Sequence, residues 1–318
     1  MTEMHSDQTE EIVALDRKVM ARMAATWSDR VAVRKDRLDL SQYYDPALPD
    51  FPVEIIPFGE DREFRAVFDG QSGPARLRFL AATWIAYNER VIFIEDDVVQ
   101  PFCTLLRKKL LPGVNDELIQ QVIVQSQVDE QFHTLMCLEV CSSARERHRL
   151  SDYVLPPPLL GRRIREQLVA TDDAFEHALI LMCYATISET TIHDYLRKLS
   201  TITSIQPLNR AHTEMHRRDE AAHGTIFLEI ARSVYRNLDA ERERALLSFF
   251  SKALHDSVEI DMSFWSSTLP YLEARDWRPF IERVGRDLSR KRVGRDYGAL
   301  LYVLDELGVR DKVDFSFS

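Results

Sequence analysis

Glycine is scarce in this chain, at 10 of 318 residues beside 13 prolines. So few breakers leave long stretches uninterrupted, which favours long helices over many short strands. Positive charge is also in deficit: 51 acidic residues outnumber 41 lysines and arginines, for a net charge of -10. A nucleic-acid binder usually shows a basic stripe, and none is visible. The short run Arg290-Lys291-Arg292 reads as solvated. Cysteine is limited to Cys103, Cys137, Cys141 and Cys183, with no C-x-x-C among them. All four fall in apolar helical patterns, so they are expected as reduced core thiols of a cytoplasmic protein. No window approaches about 18 uninterrupted apolar residues, so no membrane span is expected. The opening MTEMHSDQTEE has no basic region followed by an apolar run, and a secretory leader is not expected. A flavin or nicotinamide fingerprint is missing as well.

What remains is an ordinary globular composition, 45% hydrophobic and 29% charged, long enough to bury a large core. The expected organisation is a single all-α domain over 1–318. The pattern predicts a first helix over about 9–28, an extended packing segment over the proline-rich 41–58, and an unbroken helix over about 74–110. A turn at LPGVNDE follows, with Asn115 or Asp116 as N-cap, then a second long helix to about Arg149. After YVLPPPLLG come a short helix over 160–169, a helix from a Thr171 cap to about Ser200, and helices over about 207–236 and 239–266. Shorter helices fill the rest.

Four of these helices carry ionisable groups on the side that should be buried. In HTEMHRRDEAAHGTIFLEIARSV, His216, Glu220 and His223 share a helical face with Phe227, Ile230 and Val234. Glu130 and His133 of DEQFH share a stripe with Ile119, Ile123, Ser126 and Cys137. Glu95 interrupts the stripe Trp84, Tyr87, Val91, Val98 and Phe102, while Asp96 and Asp97 point away. Glu189 interrupts Ala178, Met182, Ala185, Ile192 and Leu196. Burying isolated charges costs several kcal/mol each, so such groups need partners. One arrangement satisfies all of them: two helices give a single Glu each and two give Glu-x-x-His, aimed into the middle of a four-helix bundle. That is the ligand pattern of a di-iron or di-manganese carboxylate site. Carboxylate oxygen and imidazole nitrogen suit those metals, and four carboxylates cancel two divalent ions. One acid-x-x-His would be a weak signal in a chain with nine histidines. Two on buried faces, with lone buried glutamates in helices of their own, make a strong one. His216 is surplus to this scheme: it is either a supporting histidine or a third imidazole ligand.

The order Glu95, Glu130-x-x-His133, Glu189, His216-x-x-x-Glu220-x-x-His223 resembles the di-iron arylamine N-oxygenases, a ferritin-like family. The extra histidine is the mark of the resemblance, which implies an all-α ferritin-like four-helix bundle, about 74–236, with added N- and C-terminal helices. It implies two iron ions held by Glu95, Glu130, His133, Glu189, His216, Glu220 and His223, with O2 as co-substrate; manganese in one position stays open. The implied reaction oxidises an aromatic amine through hydroxylamine toward a nitroso or nitro product, as in antibiotic biosynthesis. With no flavin or nicotinamide fingerprint in the chain, an external electron donor of the ferredoxin/reductase type is implied, and the resemblance implies a homodimer. Tyr87, two turns before Glu95, and His193, one turn after Glu189, are candidate substrate contacts. Substrates of the family often carry a carboxylate, and Arg295, favoured over Arg292, is the candidate cation. The pair His255 and Glu259 is expected to be a helix-surface contact. Rival readings are a ribonucleotide reductase small subunit, disfavoured because Val98, Val99 and Phe102 rather than a tyrosine follow Glu95; a ferritin-like metal binder, whose chains are much shorter; and a di-iron carbon hydroxylase or desaturase.

Overall fold

The computed structural model describes residues 3–32, 44–290 and 297–316, with side chains over 17–32, 44–288 and 297–316. Within these residues it is all-α, with no strand, and forms a ferritin-like bundle. Four long helices make the frame: α3 (Gly73–Ile94), α5 (Glu117–His148), α7 (Ala174–Thr201) and α8 (Pro207–Arg236). Helix α3 packs on α5 and α7 on α8, while α5 also meets α8. The leading helix α1 (Glu3–Arg30) lies against α5 and α8; α9 (Ala240–Val258) and α12 (Gly298–Leu307) cover α7.

Local chemistry sets the helix ends. The carboxylate of Asp116 accepts from the Ile119 amide to start α5, and Asp239 caps α9 through the Glu241 and Arg242 amides. Each such cap satisfies amide groups that have no partner inside the helix. Ser72 caps α3, with Pro74 in the first turn, where its missing N–H costs nothing. Helix α7 starts on Asp173 rather than on the expected Thr171; the Thr171 hydroxyl accepts from the Asp173 amide at 3.2 Å instead.

Two expected elements change and one appears that was not expected. The stretch 74–110 is not continuous: α3 ends at Ile94, a π-helical turn spans Glu95–Val99, and α4 (Gln100–Arg107) follows. Pro101 lies in the first turn of α4, and a proline inside a helix removes a backbone hydrogen bond that a local change of winding must absorb. The expected 239–266 helix stops at Val258 and resumes as α10 (Ser263–Thr268), because Asp261 turns its carboxylate onto the Ser263 amide and the Leu159 amide. Helix α2 (Arg62–Gly70) was not expected; Asp61 caps it, and it buries Phe64 and Phe68. It completes an aromatic cluster with the proline-rich segment, whose Phe58 packs 4.6 Å from Trp265 between ring centres. A short α6 (Leu159–Leu168) and α11 (Arg278–Arg290) finish the described chain. Two apolar clusters result. One joins α4, α5, α7, α8, α9 and α12, and the other joins α2, α3 and the α10–α11 region.

Candidate metal centre

The polar groups gather where α3, α5, α7 and α8 face one another. Glu95 opens the π-helical turn, where Gln100 N–H reaches back five residues to Glu95 O; π turns of this kind are frequent at functional sites. Glu130 and His133 come from α5, Glu189 from α7, and His216, Glu220 and His223 from α8. None of the seven is more than 3% exposed, so water does not solvate them. The expected set therefore meets in space. His133 Nδ1 lies 2.8 Å from Glu130 Oε2 and 3.1 Å from Glu220 Oε1. His223 Nδ1 lies 2.8 Å from Glu130 Oε1 and 3.9 Å from Glu189 Oε2. His216 Nε2 lies 2.9 Å from Glu220 Oε1 and 3.5 Å from Glu95 Oε1.

Among the described residues, donor atoms within 4.8 Å of one another form four overlapping sets: Glu95, His133, His216 and Glu220; Glu130, His133, Glu220 and His223; Glu95, Glu130 and Glu189; and Cys137, His212 and His216, which adds a thiol at the edge of the site. Glu95, Glu130 and Glu220 each occur in two sets, and a carboxylate, with two oxygens, can serve two ions. Many of these close approaches lack hydrogen-bond geometry. Both oxygens of Glu220, Oε2 of Glu95 and Glu189, Oε1 of Glu130, Nδ1 of His223 and both nitrogens of His216 have no hydrogen-bond partner. Buried polar atoms are normally paired. Converging lone pairs left unpaired are what a cation needs, so the residues fit a pair of metal ions.

Protons alone divide the charge unevenly. Burial, reinforced by the neighbouring carboxylates, holds Glu95 and Glu189 well above the usual carboxylate range. Burial acts the same way on Glu130 and Glu220, but the charge of His223 and the other close imidazoles outweighs it, bringing Glu130 down to about 2 and Glu220 well down. His133 and His223 rise well above the imidazole range, because carboxylates overcome the cost of burying their charge. His216 goes the other way: burial and the nearby His133 favour its neutral form, the form that binds metal.

Behind the imidazoles stands a brace the sequence reading missed. His133 Nε2 faces Asp219 Oδ2 at 3.4 Å, and His223 Nε2 faces Asp129 Oδ2 at 3.4 Å. The pairing crosses helices: the aspartate of α8 holds the histidine of α5, and the reverse. Both aspartates are anchored by the end of α1. Trp27 Nε1 donates to Asp129 Oδ2 at 2.9 Å, and the Ala32 amide donates to Asp219 Oδ1 at 2.9 Å. Arg30 lies near both, and their charges oppose the downward pull of burial on its guanidinium. The signal was present in the sequence, since Asp stands immediately before each Glu in VDEQFH and RDEAAH.

On the α3 side, Tyr87 stands in an aromatic wall with Trp84, Tyr195 and Phe51, at ring separations of 5.6, 5.4 and 6.2 Å. Its hydroxyl is buried without a partner, and burial raises its pKa. Next to it Cys137 Sγ lies 3.8 Å from His212 Nε2; His212 also escaped the sequence reading. His193 departs from the expected inward position. Its side chain is 31% exposed and accepts from Arg217 Nη1 at 3.2 Å, because four residues beyond Glu189 the helix has already turned about 40° further. His255 and Glu259 do not pair with each other: His255 reaches the Asp314 carbonyl and Glu259 meets Arg163. Arg292 and Arg295 lie outside the described residues.

A helical bundle that aims carboxylates and imidazoles at one dry point defines the class of ferritin-like di-metal carboxylate proteins. Comparison across the chain narrows the class. The family model described as p-aminobenzoate N-oxygenase AurF matches residues 15–308. A 4-aminobenzoate N-oxygenase of Streptomyces thioluteus is 33% identical over 301 residues, 94% of this chain and 88% of that protein. The chain belongs to the p-aminobenzoate N-oxygenase family and is an oxidoreductase.

Proposed function

We propose that Glu95, Glu130, His133, Glu189, His216, Glu220 and His223 hold two iron ions, and that the chain oxidises the amino group of an aminobenzoate-like substrate through hydroxylamine toward nitroso and nitro products. The observation that carries this is the set of unpaired donor atoms buried from bulk solvent inside the bundle, in a chain of this family. Manganese in one position is the alternative metal content. When bound, the metal pair supplies O2 reduction and oxygen transfer to the amine nitrogen.

The chain's own residues position, tune and exclude. Asp129 and Asp219 fix the ring orientation of His223 and His133 and raise their basicity. Neutral His216 adds nitrogen donation. The wall of Phe51, Trp84, Tyr87 and Tyr195 suits a flat ring stacked or tilted against it, and the Tyr87 hydroxyl is free to hydrogen-bond a polar group on that ring. The amine nitrogen brings its own lone pair, so no protein nucleophile is needed. Arg295 is proposed as the cation that holds the substrate carboxylate. Electrons come from an external donor of the ferredoxin/reductase type. The whole chain acts as one domain, as a homodimer, in the cytoplasm, where its buried thiols stay reduced.

The test is aerobic turnover. Protein loaded with ferrous iron and given a chemical reductant should convert 4-aminobenzoate to oxidised nitrogen products, detected by chromatography and mass spectrometry. Oxidation at carbon alone, a stable tyrosyl radical, or steady mineralisation of iron without amine loss would each contradict the reading.

A further inference from the structure

Helix α5 carries a second pattern on its outer side. Its exposed positions from 121 to 142 are Gln121, Val124, Val128, Gln131, Leu135, Leu138 and Ser142. They recur at alternating steps of three and four, the spacing of one seam of a coiled coil. None is charged. Val124, Val128, Leu135 and Leu138 are 40, 36, 50 and 52% exposed, a concentration of apolar surface that marks an interaction face. The order polar, apolar, apolar, polar, apolar, apolar, polar reads the same in both directions.

We infer that this stripe is the face on which two copies of the chain pair, α5 antiparallel to α5 about a two-fold axis at Gln131. The inference deepens the homodimer reading above and rests on it. Antiparallel pairing sets each Gln131 against its own copy. Val128 then meets Leu135, Val124 meets Leu138, and Gln121 meets Ser142. Self-complementarity of this kind is what a two-fold interface requires. The charge distribution favours a second copy over other occupants. Two chains of net charge -10 repel, so they associate best through a neutral strip, whereas a transient redox donor is steered by charge. The rim is complementary. Arg107 and Glu117 both line the groove beside Val124 and Val128, and Glu139 follows Leu138, so the antiparallel register turns Glu139 of one copy toward the end of the strip where Arg107 of the other stands. Asp96, near the axis, is occupied by Gln131 Nε2 and Thr134 Oγ1 of its own subunit, both at 3.2 Å.

The strip is about 31 Å long and about 10 Å wide, less than half of the ~800 Å² per partner that a stable dimer buries. Trp27, Gln100 and Phe132, which line the same grooves, extend it. Trp27 is also the donor to Asp129, so pairing closes the outer edge of the metal centre against water.

Sedimentation or light scattering at micromolar concentration should find a dimer. Under mild oxidation Gln131→Cys should give a covalent dimer, and Val124→Cys alone should not. An equimolar mixture of Val124→Cys and Leu138→Cys chains, left to exchange partners, should cross-link. The double variant Val128→Glu/Leu135→Glu should be monomeric, with its dissociation constant raised at least a hundredfold; if it fails to fold, the disulfide pattern decides. A monomeric wild-type chain overturns both this face and the homodimer reading. A dimer that survives the double substitution, or lacks the Gln131→Cys cross-link, overturns the face alone.

Discussion

At the scale of single residues, the centre is a problem in charge. Burial and the neighbouring carboxylates make ionisation of Glu95 and Glu189 costly, and a pair of cations would reverse that preference. Glu189→Gln should therefore leave the metal-free protein as stable or more so, since a buried carboxyl becomes a neutral amide of the same shape. It should also remove most of the stabilisation that added iron gives. Thermal melts with and without Fe2+ check both halves. Asp219→Asn and Asp129→Asn test the brace: each should weaken iron binding by roughly 10–100-fold, read by chelator competition, because each frees an imidazole ring from its orienting partner. The seven converging residues were legible in the sequence, because their spacing placed ionisable groups on buried stripes. The brace was less legible, since an aspartate before a glutamate reads as surface charge until α1 is seen to cover it. His193 was misplaced because a face extrapolated by one further turn ignores helical drift.

Helices and turns show where local chemistry overrode pattern. Apolar periodicity gave the long helices, but it is blind to an extra residue in the winding, and Pro101 was the only warning of the π turn that follows Glu95. Helix α2 was missed because nine residues are too few to establish a period. Its Asp61 cap makes a pH test. Hydrogen bonds from Arg283, then from the Phe64 and Glu63 amides, hold the Asp61 carboxyl below its usual value. The ionised form thus contributes stability that is fully present above the unfolded value of about 3.9 and is lost as pH falls through the folded value. Asp61→Asn keeps the cap and removes the charge. It should cost up to about 1 kcal/mol at neutral pH, and the difference from wild type in urea melts should vanish below the folded value. Gly224 tests the α7–α8 approach. A Cβ there would stand 3.1 Å from the Glu189 carbonyl oxygen and 3.5 Å from Thr190 Cα, both backbone atoms that cannot yield without moving α7. Gly224→Val should lower the melting temperature and the iron content together, although glycine is a poor helix former.

For the whole molecule, fold and site depend on each other. The bundle supplies the dry interior, and the interior holds charges that protons neutralise only in part. Metal binding should therefore appear as folding stability. Ligand linkage gives about 4.1 kcal/mol at a thousandfold excess over the dissociation constant, so chelation should lower the melting temperature by several degrees, with recovery on adding Fe2+. The all-helical class followed from the few breakers and the long periodic stretches; the packing of α1 and the C-terminal helices around the bundle did not, because which outer surface covers which is not written in the period. The most direct measurement is metal content together with X-ray absorption on protein reconstituted with Fe2+ under reducing conditions. Two irons per chain are expected, bound by nitrogen and oxygen with no sulfur despite the nearby Cys137, and close to none after Glu130→Ala or Glu220→Ala in protein that keeps its helical circular dichroism. A single ion, sulfur coordination, or full iron in those two variants would contradict that expectation.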